Sequence, residues 1–350
     1  MDCKGFDEQV VRLDKQIADL AGQFVLVRIV NMRGVNLNVF DFDYDLEWSA
    51  LFMNAGEKIY GRYGSRDADS ANGRLSLAGF RYAMEQALAA HRRETPQPEP
   101  RMPPRTVEQF APARRVKDNA CIHCHQVLDF EHERLSQLGQ WRREDLWLYP
   151  LPENVGLTLD IDQGNRILRV DTDSAAAACG LRAGDVLRQV NHQPVASIAD
   201  VQYALQRAPA KGQIELVWER DGKTHAALLT LRDGWRVSDI SWRASVRKIG
   251  PLPPVYGEDL TPAEKKTLGL PAKHLAFRQG PFVSKTARQA GIQQNDIIVG
   301  IDDKDLPMTA SQFAVYVRLN YQAGERVRFN VLRDGRRLDV TLKLPAPPTY

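Results

Sequence analysis

The sequence has no long apolar run, little net charge and few cysteines, and each of these absences excludes a class of protein. No stretch of about 18 consecutive apolar residues occurs, so no membrane-spanning helix is predicted. The first thirty residues also lack the basic, apolar and small-residue order of a secretory signal. The 47 basic and 44 acidic residues leave a formal net charge of only +3, which argues against nucleic acid as a partner. The four cysteines are too few for a disulfide framework.

What remains is the composition of an ordinary globular protein. Hydrophobic residues make up 43% and charged residues 26% of the 350 positions, which is enough for several domains, each with its own core. We therefore expect a multidomain chain with α/β and α+β parts.

Residues 1–92 predict a helix, a strand, a hairpin and a second helix, in that order. A run of apolar, mostly β-branched residues over 24–30 predicts a buried strand, and a hairpin is predicted to turn at residues 54–57. This order resembles a small thioredoxin-like α/β domain. The resemblance implies a structural or partner-binding role, because residues 31–36, where redox-active thioredoxins carry Cys-x-x-Cys, contain no cysteine. Residues 93–120 are rich in proline and predict an extended, solvated linker.

The C-terminal portion contains an internal repeat. The segment Cys179–Leu187 recurs as Ala290–Ile298, and the turn Glu219–Lys223 recurs as Leu332–Arg336. The two offsets are 290 − 179 = 111 and 332 − 219 = 113 residues, so a duplicated domain explains them better than chance does. We place the two copies at residues 150–235 and 256–345.

The first copy resembles the PDZ domains of bacterial proteases and chaperones. Its Cys-Gly-Leu-Arg-Ala-Gly-Asp-Val-Leu run ends in Asp185-Val186-Leu187 and leads to Asn191-His192-Gln193-Pro194-Val195, which follows the pattern of that family. The second copy is looser, since Asn295 stands where the first has a turn glycine, but Asn tolerates positive φ and the turn survives. Asp185 and Asp296 are predicted to form turns rather than to act as catalysts. No Gly-x-Ser-x-Gly segment occurs, so no serine protease site is predicted.

The PDZ resemblance implies two β-rich modules that capture an extended peptide or a protein C-terminus beside a sheet edge. By this resemblance the peptide-binding residues of the first copy are Asn154, Val155, Gly156 and Leu157 in a carboxylate-binding loop, Leu159 on a strand, and Ile198, Val201 and Leu205 on a helix; those of the second copy are Leu268, Gly269 and Leu270 in the loop and Phe313 and Val317 on the helix. The alternative is that these aliphatic side chains form the core of each module.

Residues 121–149 begin with Cys121-Ile122-His123-Cys124-His125, which is a complete Cys-x-x-Cys-His. This pattern is typical of covalent haem c, with Cys121 and Cys124 as thioether anchors and His125 as the iron ligand. The sixth ligand would be His132 or Met102. Three alternatives stay open: a redox-active thiol–disulfide pair, a structural disulfide, and zinc held by Cys121, Cys124 and two of the histidines, with His125 and His132 as the preferred pair.

The whole architecture resembles the bacterial thioredoxin-like/PDZ (seleno)protein family, although this chain has ordinary cysteine in its one close pair. We expect a peptide-binding tandem PDZ protein with a redox-active site, most favourably a haem used for electron transfer. A thiol redox protein and a non-enzymatic scaffold with a structural Cys/His site are the alternatives. Haem attachment would imply an exported, periplasmic protein, whereas the lack of a signal leaves a cytoplasmic one open.

Overall fold

The computed structural model describes residues 4–93 and 103–346 and divides the chain into two compact units, Met1–Ser238 and Asp239–Tyr350. The first unit holds the N-terminal region, the Cys-x-x-Cys-His segment and the first copy of the repeat. The second unit holds the second copy. Within the described residues, no helix is long and apolar enough to cross a membrane.

The described N-terminal region consists of two short helices, a hairpin and one longer helix. These are α1 (Lys4–Val11), α2 (Ala18–Ala21), β1 (Ala50–Met53), β2 (Ile59–Tyr63) and α3 (Leu77–Arg93). The antiparallel hairpin packs on α3 through a cluster in which Phe52, Tyr63 and Phe80 are buried. The predicted hairpin and the predicted second helix are therefore confirmed.

The predicted buried strand over residues 24–30 is wrong. Val25 is 92% exposed and Val27 is 79% exposed, and no strand is assigned to this segment. The described sheet of this region has two strands only, β1 and β2. In a thioredoxin-like domain such an apolar run would be a strand of the central sheet, with both faces of that sheet covered. The described residues show no such strand here, so they do not show that fold. An apolar run indicates that a segment is suited to burial, but it does not indicate whether a partner strand is available.

The described part of the predicted linker, residues 103–120, is packed rather than solvated. Two short 3-10 helices, Val107–Gln109 and Ala111–Arg115, bury Val107 and Phe110 against Ile122 and the following helix α4 (Cys124–Gln137). The proline content predicted the irregular backbone correctly. It did not predict burial, because apolar residues scattered among prolines show no period.

The first copy of the repeat contains six strands and two helices around one apolar core. These are β3 (Leu157–Leu159), β4 (Ile167–Val170), α5 (Ala175–Ala178), β5 (Val186–Val190), β6 (Gln193–Pro194), α6 (Ile198–Gln206), β7 (Gly212–Arg220) and β8 (Lys223–Leu231). β3 and β4 form an antiparallel pair, and the other sheet has the order β6-β5-β7-β8. Ser174 and Ser197 start α5 and α6 by accepting backbone N–H bonds through their hydroxyl oxygens.

The second copy forms a five-stranded antiparallel sheet with three helices. These are β9 (Gly257–Asp259), α7 (Pro262–Thr267), β10 (Phe277–Gln279), α8 (Lys285–Ala290), β11 (Ile297–Ile301), α9 (Ala310–Asn320), β12 (Arg326–Arg333) and β13 (Arg336–Lys343). The strand order is β13-β12-β11-β10-β9. Ser284 and Thr309 cap α8 and α9 as Ser174 and Ser197 cap their counterparts.

The repeated turn has the same hydrogen bonds in both copies, which confirms the duplication. Asp185 accepts the backbone N–H of Arg182 at 2.8 Å and two guanidinium N–H bonds of Arg220, both at 2.7 Å. Asp296 accepts the same bonds from Gln293 at 2.7 Å and from Arg333 at 2.7 and 2.8 Å. Both aspartates are 1% exposed, so they are turn formers whose buried carboxylates pair with partly exposed arginines. Gly184 has φ 93° and Asn295 has φ 68°, which confirms that asparagine replaces the glycine in this turn.

Candidate functional site

The candidate site of the first copy lies between β3 and α6. β3 pairs with β4 along one edge, and the described strands leave its other edge without a partner. The carbonyl of Gly156 accepts from Asp171 N–H and the N–H of Asp160 donates to Arg166, so these two residues face β4. Because the backbone groups of alternate residues point to opposite edges, Leu157 and Leu159 turn their N–H and C=O groups toward the free edge.

A glycine-dependent loop precedes this edge. The 3-10 turn Pro152–Val155 ends at Gly156, whose φ is 89°. A Cβ atom at this glycine would lie 2.2 Å from the Oγ of Ser174, the residue that caps α5. Positive φ and this close approach together require glycine here, which agrees with the predicted loop over Asn154–Leu157. The side chain of Asn154 donates to the carbonyl of Trp235 at 2.9 Å, so it ties the loop to the chain after β8.

The predicted groove side chains of the first copy are core residues. Each is at most 5% exposed and belongs to the same apolar cluster: Val155, Leu157, Leu159, Ile198, Val201 and Leu205. The alternative stated from the sequence therefore describes them correctly. The part of β3 that the described strands leave accessible is its backbone edge.

Two glutamines on α6 were missed by the sequence analysis. The amide of Gln202 donates to the carbonyl of Tyr149 at 3.0 Å, and the N–H of Tyr149 donates to Gln206 at 2.8 Å. Gln202 is 5% exposed. The sequence offered one signal for Gln202. It follows Val201 on an amphipathic helix, and that position lies at the border of the apolar face, where a polar side chain can contact a neighbouring segment.

Matching hydrogen bonds align the second copy with the first. Ile167 donates to Asp185 and accepts from Gly184, as Gln279 donates to Asp296 and accepts from Asn295. Leu159 lies opposite Ile167, and Gly257 lies opposite Gln279. Gly257 thus corresponds to Leu159, and counting back three residues places Pro254 at the position of Gly156.

The aligned loop of the second copy is built from proline. Ser284 corresponds to Ser174, and its hydroxyl donates to the carbonyl of Pro254 at 2.9 Å, which supports the alignment. Pro253 and Pro254 carry no backbone N–H, so this loop cannot offer their amides to an anion.

The loop predicted at Leu268, Gly269 and Leu270 lies elsewhere. These residues follow α7 in the connection between β9 and β10, and Leu270 packs with Leu260, Ala276 and Val299 in a separate cluster. The first copy spans the same connection with a short turn, so the sequence offered no template for the insertion. Phe313 and Val317 lie on α9 as predicted, at 1% and 0% exposure, within the main core of the second copy.

The Cys-x-x-Cys-His segment begins α4. Cys121 is exposed, Cys124 is the first residue of the helix, and both are free thiols. Burial raises the pKa of the Cys124 thiol, whereas a nucleophilic thiol needs a lowered pKa. His125 lies 3.7 Å from the carboxylate of Asp129 one turn later.

The predicted metal ligands are not assembled. Among the described residues, no three or more histidine, cysteine, aspartate or glutamate side chains are grouped so as to hold a metal ion, so the zinc set of Cys121, Cys124, His125 and His132 is not brought together. His132 is 9% exposed, and burial lowers the pKa of its imidazole. Met102 lies outside the described residues. Attachment of haem c at the cysteine pair stays a prediction.

Comparison with known proteins identifies the repeated modules. The model of the PDZ domain matches residues 166–220 and again residues 281–344. A probable periplasmic serine endoprotease DegP-like of Pseudomonas savastanoi pv. phaseolicola is 29% identical over 198 residues, which cover 55% of this chain and 40% of that protein. A probable periplasmic serine protease do/HhoA-like of Haemophilus influenzae is 28% identical, over 49% of this chain and 35% of its own.

Two further matches set the limits of the comparison. The periplasmic pH-dependent serine endoprotease DegQ of Escherichia coli is 26% identical over 41% of this chain and 29% of its own. The chain thus spans at most about two fifths of the length of these relatives. The solved HtrA-type protease AlgW with decapeptide, 16% identical over 39% of this chain and 50% of its own, has a TM-score of 0.23, which is too low to support an inference.

These matches correct the predicted function. The relatives are serine proteases with PDZ domains, so the predicted role as an electron carrier or thiol redox protein is wrong. The predicted PDZ modules are confirmed. The chain carries two PDZ domains in tandem, similar to those of periplasmic serine proteases of the DegP and DegQ type.

Proposed function

We propose that this chain is a periplasmic peptide-binding protein whose first PDZ domain binds the extended C-terminal segment of another protein. The free edge of β3 beside α6 is the observation that carries this proposal. PDZ domains bind peptides by adding them as a strand at such an edge. The periplasmic location rests on the names of the relatives.

The loop at Gly156 supports recognition of a terminal carboxylate. It lies at the N-terminal end of β3. The Gly156 N–H donates to the Glu153 carbonyl within the turn at 3.0 Å, so the amide that this loop leaves for an anion is that of Leu157, which points to the free edge. Backbone N–H groups at such a turn favour an anion. The second domain differs, since Pro253 and Pro254 lack N–H groups at the aligned positions. Its partner would therefore be an internal extended segment rather than a free C-terminus.

The test uses the full chain and peptides selected from a library of free C-termini. A selected peptide is compared with its C-terminal amide and with a version methylated at alternate backbone nitrogens. Loss of the carboxylate should weaken binding by about tenfold or more, since hydrogen bonds to a charged group contribute about 1.5–3 kcal/mol. Methylation should weaken binding only at the positions that face β3. Equal binding of all three peptides would show the proposal to be wrong.

A matched pair of variants assigns the binding to one domain. Gly156→Val places a side chain against Ser174 and strains the loop, so it should reduce peptide affinity. Pro254→Val alters the aligned position of the second domain and should leave the affinity unchanged. Circular dichroism of both variants checks that each remains folded.

A further inference from the structure

The N-terminal region contacts the first PDZ domain at both ends of β3. Before β3, the guanidinium of Arg74 lies 3.0 Å from the carboxylate of Glu153, which belongs to the turn ahead of the Gly156 loop. After β3, the hydroxyl of Ser76 donates to the carbonyl of Ile161 at 3.2 Å. Residues 74–79 are thus fixed at the two ends of the strand whose free edge would receive a peptide.

The contact at Ile161 is very close. A Cβ atom at Gly79, in the first turn of α3, would lie 2.2 Å from the Ile161 carbonyl oxygen. Gly79 has ordinary helical geometry, so glycine is not needed there for its backbone freedom. The absence of a side chain at Gly79 permits the close approach of its backbone to that of Ile161.

The hairpin of the N-terminal region covers the outer face of α6. The N–H of Arg62 on β2 donates to Asp200 at 2.8 Å, and the hydroxyl of Ser197 donates to the Arg62 carbonyl. The Arg62 guanidinium lies 3.3 Å from the centre of the Tyr203 ring. Asp200 is 4% and Tyr203 is 9% exposed, so this face of α6 is removed from water.

A carboxylate of the N-terminal region also holds the segment that lies on α6. Asp41 accepts the hydroxyl of Tyr149 at 2.6 Å and a guanidinium N–H of Arg207 at 2.9 Å. The backbone of the same tyrosine is bonded to the α6 glutamines Gln202 and Gln206. The N-terminal region therefore contacts the first PDZ domain in three places: at the loop before β3, at the end of β3 and along α6.

We propose that the N-terminal region closes the groove of the first PDZ domain, so that it competes with the peptide for the free edge of β3. This inference rests on the proposed function. A peptide reaches β3 only in the fraction of molecules in which the N-terminal region has moved away, and the apparent affinity is reduced by that fraction. The blocking element is this chain itself: residues 74–79 contact the chain at both ends of β3, and β2 packs on the face of α6 that carries Asp200.

Two variants open the groove from opposite sides. Gly79→Ala adds a methyl group against the Ile161 carbonyl and pushes the N-terminal region away. Glu153→Arg acts from the PDZ side by placing a cation against Arg74. Gly22→Ala is the control, because φ is −62° there and its new Cβ would meet only an ordinary contact at 3.8 Å.

Two readouts on the full chain separate closure from peptide binding. Hydrogen exchange of the Arg62 amide, which donates to Asp200 across the contact, reports closure without any peptide. A titration reports the affinity of a selected C-terminal peptide. Both opening variants should lose protection at the Arg62 amide and bind the peptide about tenfold more tightly, while Gly22→Ala matches the unaltered chain.

The outcomes distinguish closure of the groove from the proposed function. Lost protection without binding of any library peptide would support closure and reject the proposed function. Protection and affinity unchanged in both opening variants would overturn closure, even if the peptide binds and Gly156→Val abolishes that binding. Glu153→Gln removes the charge without repelling Arg74 and should loosen the groove less than Glu153→Arg. Tighter binding by Glu153→Arg without lost protection would come from the new cation beside the Gly156 loop and would overturn closure.

Discussion

The two PDZ domains hold the same ion pair in their turn but differ in the segment ahead of the first strand. Asp185 and Asp296 receive the same bonds from Arg220 and Arg333. The segment before the strand contains Gly156 in one domain, and Pro254 stands at the aligned position in the other. The turn is kept in both copies because the fold needs it, whereas the proposed recognition of a carboxylate needs the loop only in the first domain. Comparison of the two copies thus separates residues that the fold needs from residues that the proposal uses.

The largest expected effect tests the shared turn. Asp185→Ala and Asp296→Ala should each destabilise their own unit by about 1.5–3 kcal/mol, because a turn amide and a partly exposed arginine lose a charged hydrogen-bond partner. Urea unfolding monitored by tryptophan fluorescence and by circular dichroism measures both. A loss below about 1 kcal/mol in one domain only would break the equivalence of the two turns.

The second prediction concerns Asp200, whose aligned residue in the second domain is the uncharged Gln312, three residues after the cap Thr309. Burial raises the pKa of Asp200 from 3.8 to about 6, although the nearby Arg62 opposes the shift. The folded state then binds the proton more tightly than the unfolded state. Asp200 should therefore contribute stability to the first unit that is lost as pH rises from about 4 to 6, by about 3 kcal/mol at most, with no further loss above pH 6.

Unfolding of the full chain at several pH values measures this slope. Asp200→Asn should abolish it in the first unit, and the second unit provides the internal comparison at Gln312. If the pH dependence remained in Asp200→Asn, another titrating group would be responsible for it.

The third prediction converts the loop of the second domain. Replacing Pro253 by Val and Pro254 by Gly restores two backbone N–H groups. A peptide bound by the second domain should then prefer a free carboxylate over an amide by up to about tenfold, or about 1.4 kcal/mol. Calorimetric titration in the Gly156→Val background isolates this domain. No change in preference would show that the loop amides do not decide carboxylate recognition.

The smallest effect is expected at the turn position with positive φ. Asn295→Gly should stabilise the second unit slightly and Gly184→Asn should destabilise the first, each by about 0.5–1 kcal/mol, because only glycine adopts this conformation without cost. Thermal unfolding detects both changes. Effects of the same sign in the two units would mean that the two turns are not equivalent.

The parts of the fold that were predicted correctly depend on local sequence. The turn at Asp185 and its copy at Asp296, the hairpin at residues 54–57, and the helices α3, α6 and α9 all have patterns within about ten residues. A turn ends at Gly156 within the predicted loop, and its binding of a carboxylate stays a prediction. The aliphatic residues Val201 and Leu205 belong to the core of the domain.

The errors share one physical cause. The run over residues 24–30 has every local feature of a buried strand, yet Val25 is exposed because no described strand pairs with it. The leucines at 268 and 270 looked like a loop of the PDZ type, yet an insertion carries them to another cluster. In each case the local pattern correctly indicated apolar residues suited to burial. It did not indicate which distant segment would pack against them.

The sequence by itself determined the duplication and its turns, since these depend on the backbone preferences of single residues. Only the tertiary structure decided that Arg74 meets Glu153 and that Arg62 meets Asp200 and Tyr203. These contacts join residues more than 70 positions apart in the chain, as the Arg62 to Asp200 bond does at a separation of 138. Such pairings depend on the packing of whole surfaces, which no short pattern encodes.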